Sequence, residues 1–352
     1  MNPGLGPGEV MVATSVPAVG PEPGPVRGDP GGLAAYLTYA LAGRLDDVDA
    51  AVIRTSVADG EIHEALQVLG SAMEKSGVEL TAAEARVART CLPAHSPAVQ
   101  NLRLAEAPRY ARFRFSPAPD GPAPRLLEAA ISVTDWIDGL VAVWFTLRTS
   151  DTTSAAPVWL CEARIGSDLI EITGELQHRL AVLGEAPPRV EVFTPESPLT
   201  PYHREALARA DLVWVAPDLP GLYLARTFDG SDPRTGPYFA PDHLRLAETD
   251  RARLLQYLTA ADVVMTGGAM TDVLAPHQGP VVPMAFRCDG VWIWTEPVIY
   301  YLERYGLVPD PALTEHVLRA SSLPRACSPL TRARALAAIT GPASAAEPVR
   351  AS

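Results

Sequence analysis

The chain has 352 residues, 41 of them acidic and 29 basic, for a formal net charge of −12 at pH 7. That sign excludes nonspecific attachment to nucleic acid and charge-driven docking on anionic lipid, both of which need a net basic surface. With 47% hydrophobic residues the chain carries enough apolar material for a large core, so it is not wholly disordered.

Residues 1–32 are dense in glycine and proline, show no apolar period, and predict a flexible leader. They lack the basic segment followed by an apolar one that marks a secretory signal. No apolar run approaches the roughly 18 residues that span a bilayer. Lys75 is the single lysine and every other basic residue is arginine, a bias that fits a GC-rich bacterial genome. Cys91, Cys161, Cys288 and Cys327 are scattered without CxxC spacing and predict free thiols in a reducing, cytoplasmic compartment.

A helical block is expected over 33–108. Leu33, Tyr36, Leu37, Ala40 and Leu41 recur at helical spacing, and Ile62, Leu66, Leu69 and Met73 share one face of a second helix. Thr81 followed by Glu84 writes a capping box ahead of a helix over 82–91. An α+β domain is expected over 109–217. There, 110–115 alternates as a half-buried strand and 125–136 reads as a helix. Strands follow over 140–147 and 158–163, then a helix over 171–183 with Leu176, Leu180 and Leu183 inward. A strand over 189–193, a short helix over 201–210 and a strand over 211–215 complete it.

A third block, also α+β, is expected over 218–340. It opens with a strand over 222–227, an Asp/Gly/Pro-rich loop over 228–239, and a helix over 243–260 carrying Leu244, Leu254, Leu255 and Leu258. An apolar run over 262–266 stops at Gly267 and Gly268. Residues 281–287 alternate as a strand, Asp289-Gly290 predicts a type I′ turn, and 291–294 returns as a Trp-rich hairpin arm. Thr295 caps a helix with Pro297 in its first turn and Gly306 at its end. Asp310-Pro311 opens one more helix, and 341–352 reads as a disordered tail. Strands and helices mix without βαβ spacing. The fold class predicted is therefore α+β: an N-terminal helical block followed by a mixed, mostly antiparallel sheet packed with helices.

Few residues gather into recognisable chemistry. GLGPGE at 4–9 lacks the preceding strand and following helix that a dinucleotide loop requires. No Walker loop, HExxH, GxSxG or Cys/His zinc spacing occurs, so no cofactor and no metal is expected. Gly267 and Gly268 end an apolar run just before a helix expected over 270–274, whose free N–H groups make them a candidate anion site. Glu175 and His178 have the i, i+3 spacing of carboxylate-bridged metal sites but lack the second copy such sites need. Asp46, Asp47 and Asp49 read as a solvated first turn that complements a helix dipole. Cys288, with His277 or His243 as base, is the nucleophilic arrangement to check. Trp292 and Trp294 share one face of their strand, and Tyr300, Tyr301 and Tyr305 follow on the next helix. Tyr300 and Tyr301 stand about 100° apart, so one of them leaves the core face. With Arg287 and Asp289 beside them, Trp292, Trp294 and Tyr300 form the candidate binding surface, because Trp and Tyr carry binding hot spots.

Four stretches within 189–319 form a pattern: Pro201-Tyr202-His203-Arg204-Glu205-Ala206-Leu207 before Leu212-Val213-Trp214; Met270-Thr271-Asp272-Val273-Leu274; Arg287-Cys288-Asp289-Gly290-Val291-Trp292-Ile293-Trp294; and Tyr300-Tyr301-Leu302-Glu303-Arg304-Tyr305-Gly306-Leu307-Val308-Pro309-Asp310-Pro311. This pattern resembles a group of uncharacterised bacterial proteins, with Cys288 standing where the pattern has threonine. The resemblance implies an immunity-type or accessory protein and assigns no activity. The leading reading is a soluble, non-catalytic binding or accessory protein that recognises a protein partner, a basic one given the acidity of this chain. The alternative is a small-molecule-modifying enzyme with an anion pocket at Gly267 and Gly268, Arg287 as charge clamp, and Asp272 or His277 as base. The oligomeric state is left open.

Overall fold

The structure, a computed structural model, describes residues 28–110, 113–117, 137–150 and 155–341. The helix expected over 125–136, most of the leader and the tail lie outside the described residues. The chain divides between Leu219 and Pro220 into two compact units.

The N-terminal unit opens with helices α1 (Pro30–Ala40), α2 (Asp47–Ala58), α3 (Ile62–Ser76), α4 (Ala82–Cys91) and the one-turn α5 (Pro97–Gln100). The two-residue strands β1 (Glu79–Leu80) and β2 (Arg103–Leu104) pair in parallel beside them. Asp29 accepts from the Gly32 N–H and Asp46 from the Val48 N–H, satisfying donors that the helix itself leaves open. Thr81 and Glu84 form the reciprocal capping box. The apolar faces converge on one core in which Leu37, Leu41, Ile53, Leu69 and Leu80 are fully buried.

The same unit holds a mixed five-stranded sheet of β3 (Arg114–Ser116), β4 (Leu140–Thr149), β5 (Ala156–Ala163), β6 (Val190–Phe193) and β7 (Asp211–Val215). At its centre, β4 pairs antiparallel with β5, which runs parallel to β6. The other edge of β4 is shared: β3 takes the 147–149 end and β7 the 142–145 end. Helix α6 (Leu169–Val182) sets Ile172, Leu176 and Leu180 against Val143, Phe145 and Trp159. Helix α7 (Pro201–Leu207) packs on β4 and β5 with Tyr202 and Ala206 buried. The strand is thus covered on both faces, which explains its nearly unbroken apolar run. Leu183, expected inward, is exposed, because it is the cap residue where α6 ends ahead of Gly184.

The C-terminal unit follows with β8 (Tyr223–Leu224), β9 (Gly230–Asp232), β10 (Gly236–Tyr238), α8 (Glu248–Ala260), β11 (Asp262–Thr271), β12 (Pro280–Cys288), β13 (Trp292–Thr295), α9 (Glu296–Tyr305), α10 (Pro311–Arg319) and α11 (Pro329–Thr340). Its main sheet runs β11-β12-β13-β8, antiparallel except for the last pair. Helices α8, α9 and α10 pack around Trp294, and α11 packs against Val264, Cys288 and Ile293. The molecule is an α+β protein. No helix among the described residues is long and apolar enough to cross a membrane.

Several local expectations give way to backbone pairing. The loop expected over 228–239 contains the hairpin β9–β10, closed by Asp232 Oδ1 accepting from the Arg234 and Thr235 N–H groups. Helix α8 starts at Glu248 because 244–246 is extended: the Leu246 N–H donates to the Gly306 carbonyl and the Val308 N–H to that of Leu244. Leu244 is consequently exposed. The strand expected over 222–227 shortens to Tyr223–Leu224. The hairpin turn centres on Gly290 and Val291, with the Asp289 N–H donating to the Trp292 carbonyl. Gly290 has φ 96° and Val291 does not have positive φ, the sign pattern of a type II′ turn and not of the I′ turn expected.

Candidate functional site

Gly267 and Gly268 do not end a strand. β11 runs through them to Thr271 because its pairing with β12 continues, with a register slip between Thr266 and Ala269. No helix begins at 270, so the helix N-terminus that made these glycines a candidate anion site does not form there. A Cβ on Gly267 would stand 3.1 Å from the Met284 carbonyl oxygen, which explains the glycine as a close backbone approach.

Arg287 is engaged internally. Its Nε donates to Glu296 Oε1 at 2.6 Å, and its Nη1 donates to the carbonyls of Thr259 and Ala261 at the C-terminal end of α8. Cations are favoured at that end of a helix. Asp289 closes the hairpin turn, with Oδ1 accepting from the Val291 and Trp292 N–H groups at 2.9 and 2.7 Å. Its Oδ2 accepts from Tyr257 Oη at 2.9 Å and lies 2.8 Å from His316 Nε2. Asp272 receives the hydroxyls of Tyr300 and Tyr305 and the Leu274 N–H. Asp272 follows Thr271, which pairs with Pro280, whereas Arg287 pairs with Val263. Seven residues of β12 separate those positions, roughly 23 Å of strand. The acid and the cation of the enzyme alternative therefore do not meet.

Cys288 is buried, with the Gly290 N–H donating to its sulfur at 3.3 Å and the Cys327 thiol donating to its carbonyl at 3.2 Å. His243 is held by Asp229 at 2.8 Å and by the Val308 carbonyl at 3.0 Å, and His277 lies in a 3₁₀ turn (Pro276–Gln278) before β12. Neither is placed as a base for Cys288. Glu175 pairs with Arg179 one turn along α6. Among the described residues no group of three His, Cys, Asp or Glu side chains is arranged to hold a metal ion.

Of the aromatic residues singled out, Trp294 is 0% exposed and belongs to the core, which removes it from the candidate surface. Tyr301 is buried while Tyr300 leaves the core face and donates to Asp272. Trp292 is partly exposed and lies against Tyr223, with ring centroids 5.1 Å apart. No local pattern in the sequence marks that neighbour. Tyr223 and Leu224 form the outer strand of the sheet and are 53% and 58% exposed. Val291, on the adjoining turn, is also exposed.

In the N-terminal unit Asp47, expected on a solvated face, is wedged between Arg148, which donates to it, and Arg189 Nε at 2.7 Å. Burial works against its charge, but the two guanidinium groups outweigh it and hold the carboxyl below its usual range. Beside this pair, Arg54 Nη2 donates to both oxygens of Glu191 at 2.8 and 2.7 Å. His203 Nε2 lies 3.1 Å from Glu191, and Tyr39 stacks on the His203 ring at 4.3 Å. The visible signal for this network was Arg148 in an apolar strand, since a buried cation requires a partner.

No family model, curated protein or solved structure matches the chain.

Proposed function

We propose that the chain is a binding or accessory protein that acts by surface recognition of a protein partner, through the open edge of the C-terminal sheet. The observation that carries this reading is the exposed pair Tyr223 and Leu224 on the outermost strand, with Tyr223 against Trp292. The Tyr223 N–H donates to the Val291 carbonyl and the Ala225 N–H to that of Ile293, so the backbone of Leu224 is turned to the free side. A strand only two residues long avoids indiscriminate edge pairing and leaves recognition to its side chains. Tyr and Trp suit that role because they bury a large rigid area and also offer a polar group. The net charge of −12 favours a cationic partner. The cytosol is the compartment that fits, because Cys91, Cys161, Cys288 and Cys327 are free thiols.

Selection of a displayed random peptide library on the purified full chain tests the reading. Cationic peptides with an apolar anchor are expected to enrich. Tyr223→Asp and Leu224→Asp are each expected to weaken them by about thirtyfold, the equivalent of losing a hot spot worth roughly 2 kcal/mol. Val182→Ser, an exposed change in the other unit, leaves binding unchanged. Absence of enrichment, or peptides that bind both Asp variants as tightly as the parent, defeats the proposal.

A further inference from the structure

The N-terminal unit contains a cavity of about 360 Å³, within the range of about 300–1,000 Å³ typical of small-molecule sites. No sequence motif points to it. Ala35, Val57, Leu169, Ile170 and Val192 give it an apolar wall. Arg54 enters from α2 with its side chain only 10% exposed.

The hydrogen bonds of Arg54 are one-sided. Both bonds to Glu191 come from Nη2, and Glu191 Oε2 also lies 3.1 Å from His203 Nε2. Nε and Nη1 donate to no acceptor among the described residues. A guanidinium has five N–H donors in a planar fork, and those left over beside an apolar cavity match a carboxylate. Asp168, the carboxylate on the Leu169 side of the cavity, is turned toward its own helix, where Oδ1 accepts from the Ile170 and Glu171 N–H groups. The start of α6, and with it the positive end of that helix dipole, therefore borders the cavity beside Arg54.

We propose that this cavity binds a small amphipathic carboxylate, with its head on the free side of Arg54 and a short hydrocarbon or aromatic body against Ala35, Val57, Leu169 and Ile170. The site is independent of the sheet edge in the other unit, and either assignment stands without the other. The apolar wall supplies most of the contact, while the guanidinium sets orientation and discriminates against neutral molecules of the same shape.

Calorimetric titration of the full chain with octanoate and phenylacetate, each beside its primary amide, tests this. The acids are expected to bind saturably and about tenfold or more tighter than the amides, the difference made by one charge-assisted contact. Arg54→Met is expected to remove that preference. Because it also strands Glu191, Ala35→Phe serves as the second variant: it fills the cavity, leaves the ion pair alone and is expected to abolish binding with the circular dichroism spectrum unchanged. Equal affinity for acid and amide, no saturable binding of either acid, or undiminished binding to the Ala35→Phe variant overturns the proposal.

Discussion

Glu185 sits beneath Trp159, whose indole N–H donates to Oε2 at 2.9 Å, while Oε1 is buried with no hydrogen-bond partner among the described residues. Burial pushes its carboxyl up to about 7, and the Trp159 bond and the charge of Arg189 offset only part of that rise. An unfolded glutamate titrates near 4.5. Between those two values the folded chain binds the extra proton, so stability is highest below pH 4.5 for this group and falls as pH rises toward 7. The shift corresponds to about 3 kcal/mol as an upper bound. Glu185→Gln is expected to flatten this dependence and to raise stability at pH 8 by about 1–3 kcal/mol, with little effect at pH 4.5. Urea denaturation at both pH values reads the difference, and an equal effect at both would exclude burial of the charge as the cause. Single residues of this kind were poorly legible in the sequence. Asp289 and Arg287 were singled out as candidate binding residues beside a hairpin, without the internal contacts that engage them. Their partners Tyr257, His316, Thr259 and Ala261 lie 26 to 32 residues away, beyond the reach of local spacing.

The helix starts at Thr81 and Asp310 were legible because a side-chain cap is a local interaction between neighbours in sequence, whereas the starts expected at 243 and 270 gave way to extended backbone. Thr81 and Glu84 show how such a local device gains tertiary weight. Glu84 closes the capping box and also receives both terminal nitrogens of Arg44, a side chain with almost no exposure. Thr81→Ala is expected to cost about 1 kcal/mol, the usual loss of a cap. Glu84→Ala is expected to cost about 3–5 kcal/mol, because it leaves a buried guanidinium unpaired. Chemical denaturation distinguishes the two, and equal costs would show that the ion pair adds nothing to the cap. Strand limits were less legible wherever pairing partners are remote. β11 passes through two glycines because β12 is beside it, and 244–246 is extended because 306–308 is beside it. In each case an interaction across the fold overrides the local preference of the residues involved.

At the scale of the molecule the sequence suggested a helical block separate from the sheet that follows, and composition alone favours that division. The structure joins them through charge. Asp47 and Arg54 stand on α2; Arg148 and Arg189, which hold Asp47, lie in and just ahead of sheet strands, and Glu191, which holds Arg54, lies in β6. These ties cross the boundary that the apolar pattern marks, and apart from Arg148 in its apolar strand each partner looks like an ordinary surface charge in its own segment. Asp47→Ala removes the shared acceptor of two arginines and is expected to destabilise the N-terminal unit by about 3–5 kcal/mol. If helices and sheet unfold together, hydrogen exchange of the full-length variant will lose protection to the same extent in peptides from α2, α3, β4 and β5, while peptides from α8 and α9 keep theirs. Loss confined to α2 and α3 would mean that the helical block opens by itself and that the division read from composition describes the cooperative units better than the ion pairs do.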